Sequence, residues 1–172
     1  CAGNARPRLW RLKKSKALLV YYGLKNEGCE KISARLHGKK FRIPIGVSIA
    51  KTNCAETAEV NAGIADYAKA FGAFANIGDY LTINISCPNA FGGQPFTDAG
   101  MLDKLLKEID KIPVKKPIFL KISPDLPREE IDKIIKVSEN HHVPGFICTN
   151  LTKNRNNKKI IDKNVPKVGG IS

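Results

Sequence analysis

Paired cysteines are missing from this chain. Cys1, Cys29, Cys54, Cys87 and Cys148 make an odd count of five, and no CxxC pair occurs. That argues against a disulfide framework and against a structural zinc site, and free thiols suit a reducing cytosol. The three histidines, His37, His141 and His142, show no ligand spacing with acids or cysteines. His141 and His142 are expected to close a helix, where a cation meets the negative end of the helix dipole. No run of 18 or more apolar residues is present, so no membrane-spanning helix is encoded in these residues. Acidic residues are scarce: 16 Asp and Glu stand against 29 Lys and Arg, a net charge of +13. Aromatics make up only 7% and do not interleave with the basic residues, so the usual sign of base stacking on single-stranded nucleic acid is lacking.

The 172 residues suffice for one domain with a real core, and a 42% hydrophobic content excludes a disordered composition. Charge is unevenly placed. Residues 1–51 carry 13 basic and 2 acidic side chains, whereas residues 52–102 carry 1 and 5. A basic first third suits an anionic partner such as RNA or a lipid surface, or simply a solvated lysine-rich face. The chain starts at Cys1 rather than Met and stops directly after Gly169-Gly170-Ile171; both ends read as cut, and a fragment is expected.

Residues 1–16 are basic without apolar periodicity and read as an extended arm. Beyond them, strand and helix patterns alternate. Short apolar runs predict strands near 44–49, 80–85, 117–122 and 145–149. Helical spacing marks Glu27 to Leu36, Thr57 to Phe74, a segment capped by Asp98 with Leu102, Leu105, Leu106 and Ile109 inward, and Pro127 to Ser138. Residues 154–166 are polar and lysine-rich, a loop. Such alternation implies a parallel α/β sheet with right-handed crossovers. Every strand ends in polar residues: Ser48 and Lys51, Asn84 and Cys87, Lys121 and Ser123, Thr149 and Asn150. A (β/α)8 barrel gathers such ends on one face, whereas a doubly wound sheet offers a single crevice. Four polar ends favour the barrel, and four strands are half of one.

Asn84-Ile85-Ser86-Cys87-Pro88-Asn89 is the most informative stretch. Two carboxamides flank a thiol where a buried strand becomes a loop. Carboxamides both donate and accept, which suits a flat ligand rich in C=O and N–H, and a thiol can serve as base or nucleophile. The plainer alternative is a strand-end turn, with an inert cysteine and asparagines that cap it. Lys121, following Ile118-Phe119-Leu120, is costly to bury and needs either a site role or a salt bridge. Phe91-Gly92-Gly93-Gln94-Pro95-Phe96 suits a mobile lid or an ordinary flexible loop.

These motifs, with Leu120-Lys121-Ile122-Ser123-Pro124-Asp125-Leu126, Cys148-Thr149-Asn150-Leu151-Thr152 and Gly169-Gly170-Ile171-Ser172, follow one another in the order found in dihydroorotate dehydrogenases. The resemblance spans essentially the whole chain. The basic start, Gly3-Asn4-Ala5-Arg6-Pro7-Arg8-Leu9-Trp10-Arg11-Leu12, is similar to a segment typical of the class 2, quinone-dependent branch. The resemblance implies a partial (β/α)8 TIM barrel comprising strands three to six of eight, with residues 1–172 an incomplete FMN-binding domain. It implies FMN-dependent oxidation of dihydroorotate to orotate in de novo pyrimidine (UMP) synthesis, with quinone as acceptor. It also implies a peripheral place on the cytoplasmic side of a membrane, which is met through regions outside these residues, and no nucleic-acid partner.

By the same resemblance Cys87 stands at the position of the catalytic base, where class 2 enzymes usually carry serine and class 1 enzymes cysteine. Asn84, Asn89 and Asn150 match substrate-holding carboxamides. Lys121, Thr149, Asn84, Ser48 and Ser172 match flavin-contacting positions, although the family commonly has Asn at Ser48. Val20 stands where the family has a substrate-contacting Asn, which leaves Lys25 or Asn26 to compensate or the substrate to differ. No metal is implied. Much of the family's flavin surface lies in other strands, so these residues alone are expected to bind FMN poorly and turn over little substrate. The alternatives are a class 1 enzyme, placed in the cytoplasm, the pyrimidine-reducing domain of dihydropyrimidine dehydrogenase, or a non-enzymatic basic α/β module binding RNA or anionic lipid.

Overall fold

The computed structural model describes all of residues 1–172. Its main sheet contains β3 (Gly46–Ile49), β4 (Tyr80–Asn84), β5 (Ile118–Lys121) and β6 (Gly145–Ile147), adjacent in that order and parallel throughout. The four expected strands are thus found as neighbours in chain order. β3 begins at Gly46 rather than Pro44 because Asp79 takes over the polar groups of Ile45: Ile45 N donates to its carboxylate at 2.7 Å, and Asp79 N donates to Ile45 O at 2.6 Å.

Each crossover forms a helix whose ends follow local chemistry. α1 (Cys29–Leu36) starts after Gly28, whose φ of +94° favours glycine. α2 (Val60–Phe74) starts later than the expected Thr57. The Thr57 hydroxyl donates to the carbonyls of Thr52 and Cys54, and Glu59 caps the helix by accepting from Ala62 N at 2.8 Å. In α3 (Ala99–Ile109) Asp98 accepts from Met101 N at 2.9 Å, which is the expected cap. α4 (Arg128–Glu139) follows Pro127. No helix is long and apolar enough to cross a membrane.

All four helices pack on the same side of the sheet. One core joins Ile49 of β3, Leu81 and Ile83 of β4 and Ile118 and Leu120 of β5 to Ile64, Tyr67, Phe71 and Phe74 of α2, Leu102, Leu105, Leu106 and Ile109 of α3 and Ile134 of α4; Cys29, Ile32 and Leu36 of α1 pack against it. Burying each large apolar side chain contributes about 1.5–3 kcal/mol. The other strand residues point to the opposite, concave face. There the register aligns Ser48, Thr82, Phe119 and Gly145 in one row and Asn84, Lys121 and Ile147 in the next. Unreversed strand order with helices on one face only is half of a (β/α)8 barrel, not a doubly wound sheet.

A second sheet corrects the reading of residues 1–16 as an extended arm. β1 (Leu9–Leu12) and β2 (Ala17–Val20) form an antiparallel hairpin, and β7 (Gly170–Ile171) pairs with β2. Leu12, Leu19 and Ile171 form a separate small core beneath it. Asp162 stitches the lysine-rich turn by accepting from Lys14 N, Ser15 N and the Ser15 hydroxyl. These strands lack a clear sequence signal because none exceeds four residues and one partner, β7, lies at the far end of the chain.

Candidate active site

β4 delivers Asn84 to the C-terminal end of the sheet, nearly buried at 9% exposure. From the helix layer, the Tyr67 hydroxyl donates to its carbonyl at 2.8 Å, and burial drives that phenol far above its ordinary range. The Asn84 side-chain oxygen accepts from Ser86 N at 3.2 Å and from the Ser86 hydroxyl at 3.0 Å. With its oxygen so occupied, Asn84 keeps its amide N–H groups as donors.

Asn150, after β6, reaches the same residue. Its Nδ2 donates to Ser86 O and Ser86 Oγ, each at 3.0 Å, and its Oδ1 accepts from Leu151 N at 2.8 Å. Ser86 is therefore the buried link between two of the expected carboxamides. Sequence reasoning passed over it; its place between Asn84 and Cys87 was the only available signal. Asn89 donates from Nδ2 to the carbonyl of Val20 at 2.9 Å, so Val20 contributes its backbone to the site. Asn89 Oδ1 is buried and has no partner. Such an acceptor is expensive to leave unpaired and suits a ligand that presents an N–H.

Cys87 is partly buried and lines a narrow crevice with Asn84, Lys51, Tyr67 and Gln94. Burial pushes its thiol up. The backbone N–H of Asn89, the field of Lys153, the backbone N–H of Ala90 and the field of Lys121 pull it down, and burial prevails. Lys121 lies beside Asn84 in the β4–β5 register. It takes part in none of the ion pairs of the chain, so the salt bridge that would have explained it structurally is not formed.

The remaining expected residues are more dispersed. Ser48 is exposed on the concave face and borders a hollow with Lys51 and Asp66. Thr149 is exposed, and its hydroxyl donates to Asn150 O at 3.4 Å. Ser172 belongs to the hairpin sheet: its hydroxyl accepts from Leu18 N and its own N–H donates to Leu18 O, both at 3.0 Å. The segment before it does approach the site, since a Cβ on Gly170 would lie 2.6 Å from Leu151 Cβ and 3.1 Å from Pro88 Cγ. No group of three or more His, Cys, Asp or Glu side chains is arranged to hold a metal ion.

The concave face thus presents donors: the Lys121 ammonium, the free amide of Asn84 and the hydroxyl of Ser48. That set fits the carbonyl-rich ring system of a flavin.

A model of the family described as dihydroorotate dehydrogenase matches residues 1–172. Among curated relatives, dihydroorotate dehydrogenase (quinone) of Trichodesmium erythraeum (strain IMS101) is 37% identical over 172 residues, covering 97% of this chain and 44% of that protein. The protein of the same name from Haloarcula marismortui is 33% identical over 171 residues, covering 99% of this chain and 47% of its own length. Among solved structures, Eimeria tenella DHODH in complex with ferulenol superposes with a TM-score of 0.81 at 27% identity, over 100% of this chain and 52% of that one. The chain therefore spans about half the length of the proteins it matches.

Proposed function

Since this chain belongs to the dihydroorotate dehydrogenase family, we propose that the protein of which these residues form part oxidises dihydroorotate to orotate, with FMN as its cofactor and quinone as the final acceptor. The observation that carries this reading is the Asn84–Ser86–Asn150 network, which lies beside Cys87 and Lys121 at the C-terminal strand ends.

The reaction removes a proton from C5 of the substrate and a hydride from C6. When bound, FMN supplies the acceptor for that hydride. Cys87 takes the C5 proton as thiolate. Asn84 donates from its free amide and is held by Asn150 through Ser86, and Asn89, held by the Val20 carbonyl, accepts at its unpaired oxygen. A pyrimidine ring with alternating C=O and N–H groups meets this pattern. Lys121, free of any carboxylate, offers positive charge where negative charge develops. Ser48 would add a hydroxyl donor for holding the flavin, and the Thr149 hydroxyl, which donates to Asn150 O, would offer its oxygen as an acceptor. The relatives, named as quinone-linked dihydroorotate dehydrogenases, support quinone as acceptor, and contact with quinone and a membrane surface is assigned to regions outside these residues. A second reading rests on Cys87 itself, because a thiol base resembles class 1 enzymes, which use other acceptors.

The test uses the complete, flavin-loaded protein. Cys87→Ala is expected to keep yellow FMN and slow flavin bleaching by dihydroorotate by about 10²–10⁴-fold, the usual effect of removing a positioned base. That half-reaction does not involve the final acceptor. Bleaching at the parental rate would assign the base elsewhere.

A further inference from the structure

The loop from Cys87 to Gln94, which carries the thiol, is held by two residues to which no role has yet been given. Lys51 lies just past the end of β3 and is 3% exposed. Its ammonium has no carboxylate within ion-pair distance; it donates instead to the carbonyl of Phe91 at 2.7 Å and to the Thr57 hydroxyl at 3.5 Å. Asn53, two residues on, accepts from the N–H of the same Phe91 at 2.6 Å. Both polar backbone atoms of Phe91 are thus taken by side chains of the β3–α2 connection, while the residue as a whole is 55% exposed. Packing of the ring does not fix this residue; the two side chains do.

The anchor is itself anchored. Asn53 Nδ2 donates to Asn4 Oδ1 at 2.8 Å and to Gly23 O at 3.2 Å, and Asn4 Nδ2 donates to Asn89 O at 3.3 Å. Beyond Phe91, Gly92 and Gly93 both have φ of +74°, a left-handed conformation that favours glycine, and the missing side chains leave the backbone there the widest choice of other conformations. Gln94 then returns to the site by donating to Ser86 O at 3.1 Å. The loop therefore has a shoulder fixed at Phe91, a glycine pivot after it, and the thiol in front of it. Lys51 lines the same crevice as Cys87. A buried ammonium solvated only by a carbonyl and a hydroxyl is costly; its placement follows if its work is to hold that carbonyl.

We propose that Lys51 and Asn53 are positioning residues that clamp Phe91 from both sides and so hold the Cys87 loop in its closed, water-excluding position. The proposal rests on the reading of Cys87 as the base. With the clamp in place the thiol keeps a fixed orientation toward a ligand on the concave face; without it the pivot at Gly92-Gly93 lets the loop open.

The experiment compares the complete flavin-loaded protein with Lys51→Met and Asn53→Ala. Alkylation of Cys87 by iodoacetamide is followed by mass spectrometry of its peptide, alongside amide exchange across residues 87–94. Flavin bleaching by dihydroorotate is measured in parallel. Loss of the charged donor of Lys51, or of the several neutral hydrogen bonds made by Asn53 together, corresponds to about a tenfold change in the closed population. Each variant is therefore expected to raise Cys87 alkylation and loop exchange about tenfold, to lower the saturating bleaching rate more than the half-saturating dihydroorotate concentration changes, and to retain flavin. Should Lys51→Met fail to fold, Asn53→Ala decides alone. Alkylation and exchange within twofold of the parent would overturn the clamp. A parent that bleaches no flavin would overturn the dehydrogenase reading and leave the alkylation result to judge the clamp separately.

Discussion

Asn150 and Ser86 are joined twice: one carboxamide nitrogen donates to both the carbonyl and the hydroxyl of the same serine, each at 3.0 Å. Ser86 is fully buried, and its hydroxyl donates in turn to Asn84. Two carboxamides from strands that are not adjacent are thereby oriented before any ligand arrives. Preorganised donors and acceptors avoid the cost of ordering them on binding.

Ser86→Ala is expected to disturb that orientation without disturbing the fold. The methyl side chain removes one acceptor from Asn150 Nδ2 and one donor from Asn84 Oδ1. Two neutral hydrogen bonds at about 0.5–1.5 kcal/mol each correspond to roughly tenfold weaker orotate binding by the complete flavin-loaded protein. Equilibrium titration of the flavin absorbance checks this; an unchanged affinity would mean that these amides do not hold the ligand.

Cys87 sets the pH dependence. Burial raises its thiol above the ordinary value, against the opposing pulls of the Asn89 N–H, Lys153, the Ala90 N–H and Lys121. A thiolate base gains activity as pH rises, so bleaching should climb through a pKa higher than the ordinary thiol value of about 8.5. Lys153→Met removes one downward pull. Its profile should shift to still higher pH, with slower bleaching at neutral pH and a similar alkaline plateau. Stopped-flow traces across pH read this directly, and a profile that stays in place would show that the field of Lys153 does not reach the thiol.

Two carboxylates with lowered pKa, Asp103 and Asp110, lie away from the concave face. His141 follows the end of α4, as expected, and its N–H donates to Ser138 O at 3.1 Å. Its ring stands between two carboxylates of the α3 region, Nδ1 at 2.5 Å from Asp110 and Nε2 at 3.2 Å from Asp103. Hydrogen bonds from Lys107 and then His141 hold Asp103 below the ordinary carboxylate range. Burial alone would raise Asp110, but hydrogen bonds from His141 and His142 outweigh it. Stability from depressed carboxylates is complete above their unfolded pKa of about 3.9 and is lost as pH falls through the lower folded values. Asp110→Asn should therefore lower the thermal midpoint of the complete protein at pH 6 and hardly change it near pH 2. Equal loss at both pH values would show that the carboxylate's charge is not what matters.

The main sheet and its helices were legible because their signals are local. Leu102, Leu105, Leu106 and Ile109 repeat at helical spacing, Asp98 is a recognisable cap, and the polar strand ends mark one face. The β1–β2 hairpin was not legible. Its strands are short, the turn that joins them is basic, and they are held by β7 and Asp162 from the far end of the chain. The site was legible in its residue types at Asn84, Cys87 and Asn89 but not in its wiring. That Ser86 joins Asn84 to Asn150, or that Val20 serves through its carbonyl, depends on contacts between distant segments that no periodicity encodes.

The concave face also contains a packing constraint that the sequence hides. A Cβ on Gly46 would fall 2.0 Å from Tyr80 Cζ and 2.1 Å from Tyr80 Cε2. The Tyr80 ring cannot simply move aside, because it meets Phe119 edge to face at a centroid distance of 5.6 Å. Phe119 in turn covers Gly145, where an added Cβ would come within 3.1 Å of its ring. Two glycines thus bracket two aromatic rings across four strands. Gly46→Ala forces the tyrosine out of its place, and overpacking of this kind costs about 1–3 kcal/mol. Gly145→Ala asks for a shift of only a few tenths of an ångström and should cost less. Adding Tyr80→Leu to Gly46→Ala removes the obstacle, so the double variant should recover part of the loss in thermal midpoint that the single variant shows, a coupling expected only between residues in contact. A double variant no more stable than Gly46→Ala would show that the ring is not what keeps position 46 glycine.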